Sequence, residues 1–285
     1  KNTTNRNLNE LIFPFGANKS QFEAVRNAIN NQISIIEGPP GTGKTQTILN
    51  IIANIIRNGQ TVAVVSNNNA ATDNVYEKLE KYNLDYLCAR LGKKENKDDF
   101  INNQTGKYPE FTKKLEDKET IENELISLNQ DINEIFNIQN DIAKLKEELG
   151  EIKTEHKYFN TYEGPNLTYM PKIRRLDKAT SDIIMKLKVE YEELATRSLW
   201  FRLKSQFIYG IGDKEFYKKS KDEILKCFNK IFFIVKEIEL DNEIKLKEKR
   251  LKILGDNKLE LLTTYSIKLL NEYLRNKYKE QKERK

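Results

Sequence analysis

Gly38-Pro39-Pro40-Gly41-Thr42-Gly43-Lys44-Thr45 fits the phosphate-cradling pattern G-x-x-x-x-G-K-[ST] at every fixed position. Ile33-Ser34-Ile35-Ile36-Glu37 reads as a short strand feeding this loop, and Thr45 to Arg57 reads as a helix leaving it. Such a loop works by geometry. Its glycines let the backbone approach a phosphate closely. Successive N–H groups then point into one anion-binding concavity, and the following helix adds its positive end and unpaired N–H groups at the same spot. In that arrangement Lys44 is expected to reach the β- and γ-phosphates of a nucleoside triphosphate, and the Thr45 hydroxyl to ligate Mg²⁺. The expected nucleotide-binding set is Gly38, Pro39, Pro40, Gly41, Thr42, Gly43, Lys44, Thr45 and the adjoining Gln46, with Lys44 and Thr45 as its catalytic members.

Outward from the loop, the first ninety or so residues alternate between strand and helix patterns. Ser20, with Glu23 three residues on, reads as a helix N-cap completed by a capping box, and Phe22, Val25 and Ile29 share one face of that helix. The helix after the loop is apolar nearly all round. Thr61-Val62-Ala63-Val64-Val65 suits a buried parallel strand, Asp73 to Tyr82 a crossover helix, and Leu84 to Leu91 a third strand. This alternation implies an α/β fold with a doubly wound parallel sheet.

After Gly92 the period becomes helical. Ile121, Leu125, Leu128, Ile132 and Ile135 step by three and four, as do Ile138, Ile142, Leu145, Leu149 and Ile152. Asp117 to Lys153 therefore reads as one long helix with a coiled-coil-like seam. Tyr158 to Pro171, with Gly164-Pro165, reads as a loop. Further helices are expected near Arg175 to Lys204, Lys214 to Leu254 and Asp256 to about Lys282. Trp200 and Phe201 read as core anchors, and Arg174-Arg175 as a solvated face. The expected division is residues 1–92 for the nucleotide-binding part and 93–285 for a helical stalk.

Composition bounds the partners. Of 285 residues, 32% are charged and 38% hydrophobic, with a net charge of +6 that permits nucleic-acid binding. Two distant cysteines, Cys88 and Cys227, suggest a reducing, cytoplasmic setting. A lone His156 leaves no His/Cys metal cluster to be built. No apolar run approaches a membrane span. The chain begins at Lys1 rather than Met, as expected of a piece of something longer.

Three stretches together resemble the superfamily 1 helicases. Asn18-Lys19-Ser20-Gln21 resembles their Q motif, Gly38 to Thr45 their motif I, and Val64 to Val75 their motif Ia. The resemblance is nearest to the 5′→3′ branch typified by the nonsense-mediated mRNA decay helicase and its bacterial relatives. It implies a partial RecA-like domain over 1–92, with 93–285 as the helical insertion of that branch. It also implies ATP and Mg²⁺ as cofactors and single-stranded DNA or RNA as partner. Gln21 would read the adenine edge, and Asn68 and Asn69 would hydrogen-bond a single-strand phosphate. Asn67 and Asn68 depart from the Pro-Ser usual in motif Ia.

Hydrolysis needs an acidic pair at the end of an apolar strand. Asp222-Glu223, the only Asp-Glu after the loop, follows Lys218-Lys219-Ser220-Lys221 on a polar helix start and does not qualify. The Walker B strand and second RecA-like domain are expected in the remainder of the helicase, so this chain should bind nucleotide weakly and be inactive alone. Two rivals carry similar loops, the AAA+ ATPases and the coiled-coil chromosome-maintenance ATPases. A third reading makes the helical half a stalk for a protein partner.

Overall fold

The computed structural model describes residues 10–92, 94–102, 115, 117–163, 173–175, 178–193 and 198–278. The chain forms two compact units, one of Lys1–Phe136 with Gly255–Lys285, the other Asn137–Leu254. The expected boundary at residue 92 falls inside the first.

The first unit is built on helices α1 (Lys19–Asn30), α2 (Lys44–Arg57), α3 (Asn69–Lys81) and α4 (Lys94–Asn102), the start of α5 (Lys118–Tyr162), and α9 (Lys258–Tyr278). Helix α1 starts two residues earlier than its sequence suggests. Asn18, not Ser20, is the N-cap, and Gln21 rather than Glu23 closes the capping box. Phe22, Val25 and Ile29 are buried as their spacing predicts. Phe13 stacks on Phe22 with ring centroids 4.5 Å apart, and Phe136 meets Phe22 edge-on at 5.6 Å. Helix α2 packs against α1, α3 and α9.

The expected parallel sheet is absent: no strand occurs among the described residues. Their only β-type pairing is a single antiparallel bridge between Ile173 and Ile211. Residues 33–37 and 61–65 take no regular secondary structure and make no ladder hydrogen bonds among the described residues. Ile33 and Ile35 are each 83% exposed and Val65 is 88% exposed. Apolar, β-branched composition suits a pleated, packed surface, but without a partner backbone it makes no strand. The third expected strand is a 3₁₀ turn at Asp85–Leu87.

The second unit holds the rest of α5, α6 (Ser181–Glu193), α7 (Leu199–Leu203) and α8 (Lys221–Leu254). Helix α6 packs along α8. Ile184, Leu187, Tyr191, Phe201, Phe216, Ile224, Phe228 and Ile231 fill its core. Along α5 and α8, Ile138 and Ile142 meet Ile244, flanked by Leu145, Leu149, Leu251 and Leu254. Asp141 pairs with Lys247 and Glu148 with Lys236, each at 2.8 Å, and His156 Nδ1 lies 2.6 Å from Glu237. From Asp141 with Lys247 to Glu148 with Lys236, rising numbers on α5 meet falling numbers on α8, so the two helices run antiparallel.

The long helix expected from Asp117 extends to Tyr162, into the span read as a loop, while Gly164-Pro165 lies outside the described residues. The helix expected from Arg175 begins at Ser181, and residues 194–197 and those beyond 278 also lie outside. The reading of Trp200 needs correction. Phe201 is buried, but Trp200 is 83% exposed. Helix α7 is one turn long and continues as a π turn at Lys204–Ile208. It buries Phe201 and Ser205, four residues apart, which leaves Trp200, Leu203 and Phe207 exposed.

Candidate phosphate-binding site

Helix α2 begins at Lys44 behind Gly43, which adopts the left-handed region with φ 80° and offers no side-chain cap. The N–H groups of its first turn are therefore left to whatever the loop presents to them. Gly41 is also left-handed, at φ 85°, and a Cβ added there meets nothing within 4 Å. The Pro39 carbonyl accepts from the Thr42 N–H at 3.4 Å and the Thr42 hydroxyl at 2.9 Å, closing the turn. Lys44 Nζ folds back over the loop, 2.5 Å from the Gly38 carbonyl and 2.8 Å from that of Pro39. Gly38, Pro39, Pro40, Gly41, Thr42 and Lys44 are exposed, and Thr45 is half-buried. An exposed lysine resting on loop carbonyls exchanges weak neutral acceptors for an anion at little cost.

Gln21 reaches this loop from α1. Its Nε2 donates to the carbonyls of Thr42 at 3.2 Å and Gly43 at 3.3 Å, and to Gln46 Oε1 at 3.4 Å. Gln46 in turn donates to the carbonyls of Gly16, at 3.2 Å, and of Phe15. The structure thus brings Gln21, Gln46 and the loop together. Asn68 and Asn69 stand at the exposed start of α3. Asn68 is the N-cap, its Oδ1 accepting from the Ala70 N–H at 3.0 Å. Asp73, in the first turns of α3, pairs with Arg90 at 2.7 Å, and the Arg90 guanidinium lies 4.9 Å from the Tyr76 ring.

Sequence reading misses what anchors the site from behind. Helix α2 is not apolar all round: Gln46, Asn50 and Asn54, four residues apart, line one face and hydrogen-bond the backbone of residues 12–16. Asn54 accepts from the Ile12 N–H at 3.0 Å and donates to its carbonyl at 2.7 Å. Asn50 accepts from the Phe15 N–H at 3.3 Å and donates to the Gly16 carbonyl at 2.8 Å. From other helices, Ser266 accepts from the Phe13 N–H at 2.8 Å and Asn129 donates to the Leu11 carbonyl at 3.0 Å. The available signal was three side-chain amides at a four-residue step inside an otherwise apolar helix.

Among the described residues no group of three or more His, Cys, Asp or Glu side chains could hold a metal ion, and no helix is long and apolar enough to cross a membrane.

A loop of this shape at the start of a helix defines a phosphate-binding class of protein. A family model described as an AAA domain matches residues 16–199, well over half of the chain, and the chain belongs to that family. Curated relatives match a part of it. A regulator of nonsense transcripts 1 homolog from Drosophila melanogaster is 41% identical over 76 residues, 26% of this chain and 6% of the fly protein. An uncharacterized ATP-dependent helicase of Mycoplasma genitalium is 46% identical over 59 residues, 21% of this chain and 5% of that protein. The DNA polymerase alpha-associated DNA helicase A of Saccharomyces cerevisiae is 35% identical over 89 residues, 30% of this chain and 13% of the yeast protein. The resemblance to superfamily 1 helicases is therefore real, and it covers a small part of each relative. No solved structure matches the chain.

Proposed function

We propose that this chain is the ATP-binding part of a superfamily 1 helicase that couples ATP hydrolysis to movement along single-stranded DNA or RNA. The observation that carries this is the loop from Gly38 to Thr45, with Lys44 at its mouth and the first turn of α2 left uncapped. The names of the relatives favour a helicase over the other ATPases that use such loops. In this reading the backbone from Gly38 to Gln46 cradles the phosphates and Lys44 leaves the Gly38 and Pro39 carbonyls to neutralise them. Asn68 and Asn69 touch the nucleic-acid backbone, and their exposure at the start of α3 supports that role.

The residues present fit a triphosphate better than a metal. The Thr45 hydroxyl offers one ligand for Mg²⁺, and the described residues place no carboxylate cluster beside it. In this reading hydrolysis belongs to the helicase with its Walker B strand and second RecA-like domain, and the chain alone binds nucleotide weakly without turnover. We assign residues 1–92 to the nucleotide-binding part and 93–285 to an insertion that serves as an interaction stalk. The exposed stripe of Leu199, Trp200, Leu203, Phe207 and Ile208 supports that second assignment.

Titrating the chain with ATP while following backbone amide shifts tests this. Shifts should concentrate at residues 38–46 and disappear in Lys44→Ala. An unchanged titration in Lys44→Ala would sink the proposal, because the loop would then not be the phosphate site.

A further inference from the structure

Leu199, Trp200, Leu203, Phe207 and Ile208 are exposed, yet the segment that carries them is tied down at its base. Phe201 is buried against Tyr191 and Phe228. The Ser205 hydroxyl donates to the Ile211 carbonyl at 3.2 Å, with the Tyr217 hydroxyl beside it. The Ile211 N–H returns to the Ser205 carbonyl at 2.8 Å, and the Arg174 N–H reaches the Gly210 carbonyl at 2.9 Å. Gly210 permits that approach: a Cβ added there would lie 2.9 Å from the Arg175 backbone nitrogen. The Ile208 carbonyl accepts from Arg175 Nη1 at 3.5 Å. Five apolar side chains are thus held outward, with two arginines drawn up beside them.

The charge within the stripe has one sign. From Leu199 to Gly212 the chain has no Asp or Glu, and it carries Arg202 and Lys204. Arg202 lies 5.3 Å from the Tyr217 ring, and Arg174, Arg175 and Arg202 form no ion pair among the described residues. Carboxylates that flank the segment are engaged. Glu190 pairs with Lys204 at 2.7 Å and Glu215 with Lys218 at 2.5 Å, while Asp213 accepts from the Glu215 and Phe216 N–H groups at 3.0 Å.

The occupant of this surface must take five apolar side chains inside a cationic rim. Three of the five are aliphatic, whereas nucleic-acid bases stack on aromatic rings. A two-fold pairing of the stripe with itself would set its arginines against their own copies. A protein groove would need a matched shape and a carboxylate for each of three arginines. An anionic bilayer supplies apolar depth and negative charge with no matched shape. An indole settles at headgroup level, Leu, Phe and Ile enter the acyl boundary, and arginines meet the anionic headgroups. We propose that the stripe of α7 and its π turn lies in the surface plane of an anionic membrane, which it is far too short to span. This rests on the reading of residues 93–285 as an interaction stalk and names the partner.

Trp200 is the only tryptophan in the chain, so its emission reports on the stripe alone. The full chain is mixed with phosphatidylcholine vesicles containing about 30% phosphatidylserine, an anionic surface. Emission should shift to the blue and be quenched by brominated lipid. Binding should weaken about fivefold for each of Arg174→Gln and Arg175→Gln. It should be lost in the double variant Leu203→Ser, Phe207→Ser, whose circular dichroism stays that of the parent chain. No shift with these vesicles, or equal binding to phosphatidylcholine alone, would overturn the proposal. A blue shift that needs only a higher chain concentration, or quenching by a single-stranded oligonucleotide in place of lipid, would overturn it while leaving the stalk with a different partner. Emission already blue and closed to iodide in the dilute, lipid-free chain would mean that the stripe is covered within the chain, and both readings then fail.

Discussion

Leu11 to Gly16 and the two β-prone stretches, Ile33 to Glu37 and Thr61 to Val65, look alike in sequence and behave oppositely. The first is buried without forming a strand, and the other two are largely exposed without forming one. The difference lies in who satisfies the backbone. From Leu11 to Gly16 the accounting is nearly complete: Asn54 serves both groups of Ile12, Ser266 and Asn50 take the N–H groups of Phe13 and Phe15, and Asn129 serves the Leu11 carbonyl. Pro14 has no N–H to place. Among the described residues no side chain is seen to serve the backbone of Ile33 to Glu37 or Thr61 to Val65 in this way, and an unpaired buried amide costs more than a buried Val or Ile gains. Apolar residues decide which segments would profit from burial; hydrogen-bond partners decide which can take it.

The largest effect that would break this contrast is at Asn54. Asn54→Leu keeps the branched shape and leaves the Ile12 N–H and carbonyl without partners in a buried site, so it should cost about 2–4 kcal/mol. Urea unfolding midpoints read this directly. A cost below about 0.5 kcal/mol, the scale of a surface change, would mean the amide ladder does not hold Leu11 to Gly16 in place.

What the sequence made legible follows the same division. Local rules were readable: the loop at Gly38 to Thr45, the helix from Lys44, and the seam residues Ile138 and Ile142 all depend on neighbours in sequence. Rules that need a distant partner were not. The step of four from Gln46 to Asn50 to Asn54 was visible, but the backbone groups that those amides hold between residues 12 and 16 lie thirty or more residues away. Ser20 outranks Asn18 as an N-cap on no local ground, and the choice falls to Asn18 because Gln21 is drawn to the loop and can close the box. Trp200 was misread for a related reason. A one-turn helix has room to bury one aromatic side, and Phe201 takes it by meeting Tyr191 and Phe228.

Another side chain, Glu272, serves backbone in the same unit, and it makes the contrast sensitive to pH. The Glu272 carboxylate accepts from Arg275 Nη2 at 2.8 Å and Nε at 3.0 Å, from the Leu115 N–H at 3.1 Å and from Asn276 at 3.0 Å. The Arg275 hydrogen bonds lead in holding its pKa down, from an ordinary 4.5 to about 2, against the opposing effect of burial. A depressed carboxylate pKa stabilises the fold above the unfolded value and loses that contribution as pH falls through the folded one. Stability should therefore decline between about pH 4.5 and pH 2 with uptake of up to one proton per molecule on unfolding. Glu272→Gln should remove that part of the acid limb and cost less at pH 7 than Asn54→Leu. An acid limb identical in the variant and the parent chain would show that this carboxylate is not held by Arg275 and the Leu115 N–H in solution.

The smallest effect is expected where the sequence promised the most. Ile35→Thr and Val65→Thr replace side chains that are 83% and 88% exposed. Both variants keep β-branched shape, so backbone preference barely changes. Each should move the urea midpoint by no more than a surface substitution does, within about 0.5 kcal/mol. A cost near 2 kcal/mol at either position would be the cost of taking a packed side chain out of a core. It would mean that these stretches are covered in solution, and that Leu11 to Gly16 and the β-prone stretches differ in their partners rather than in whether they have any.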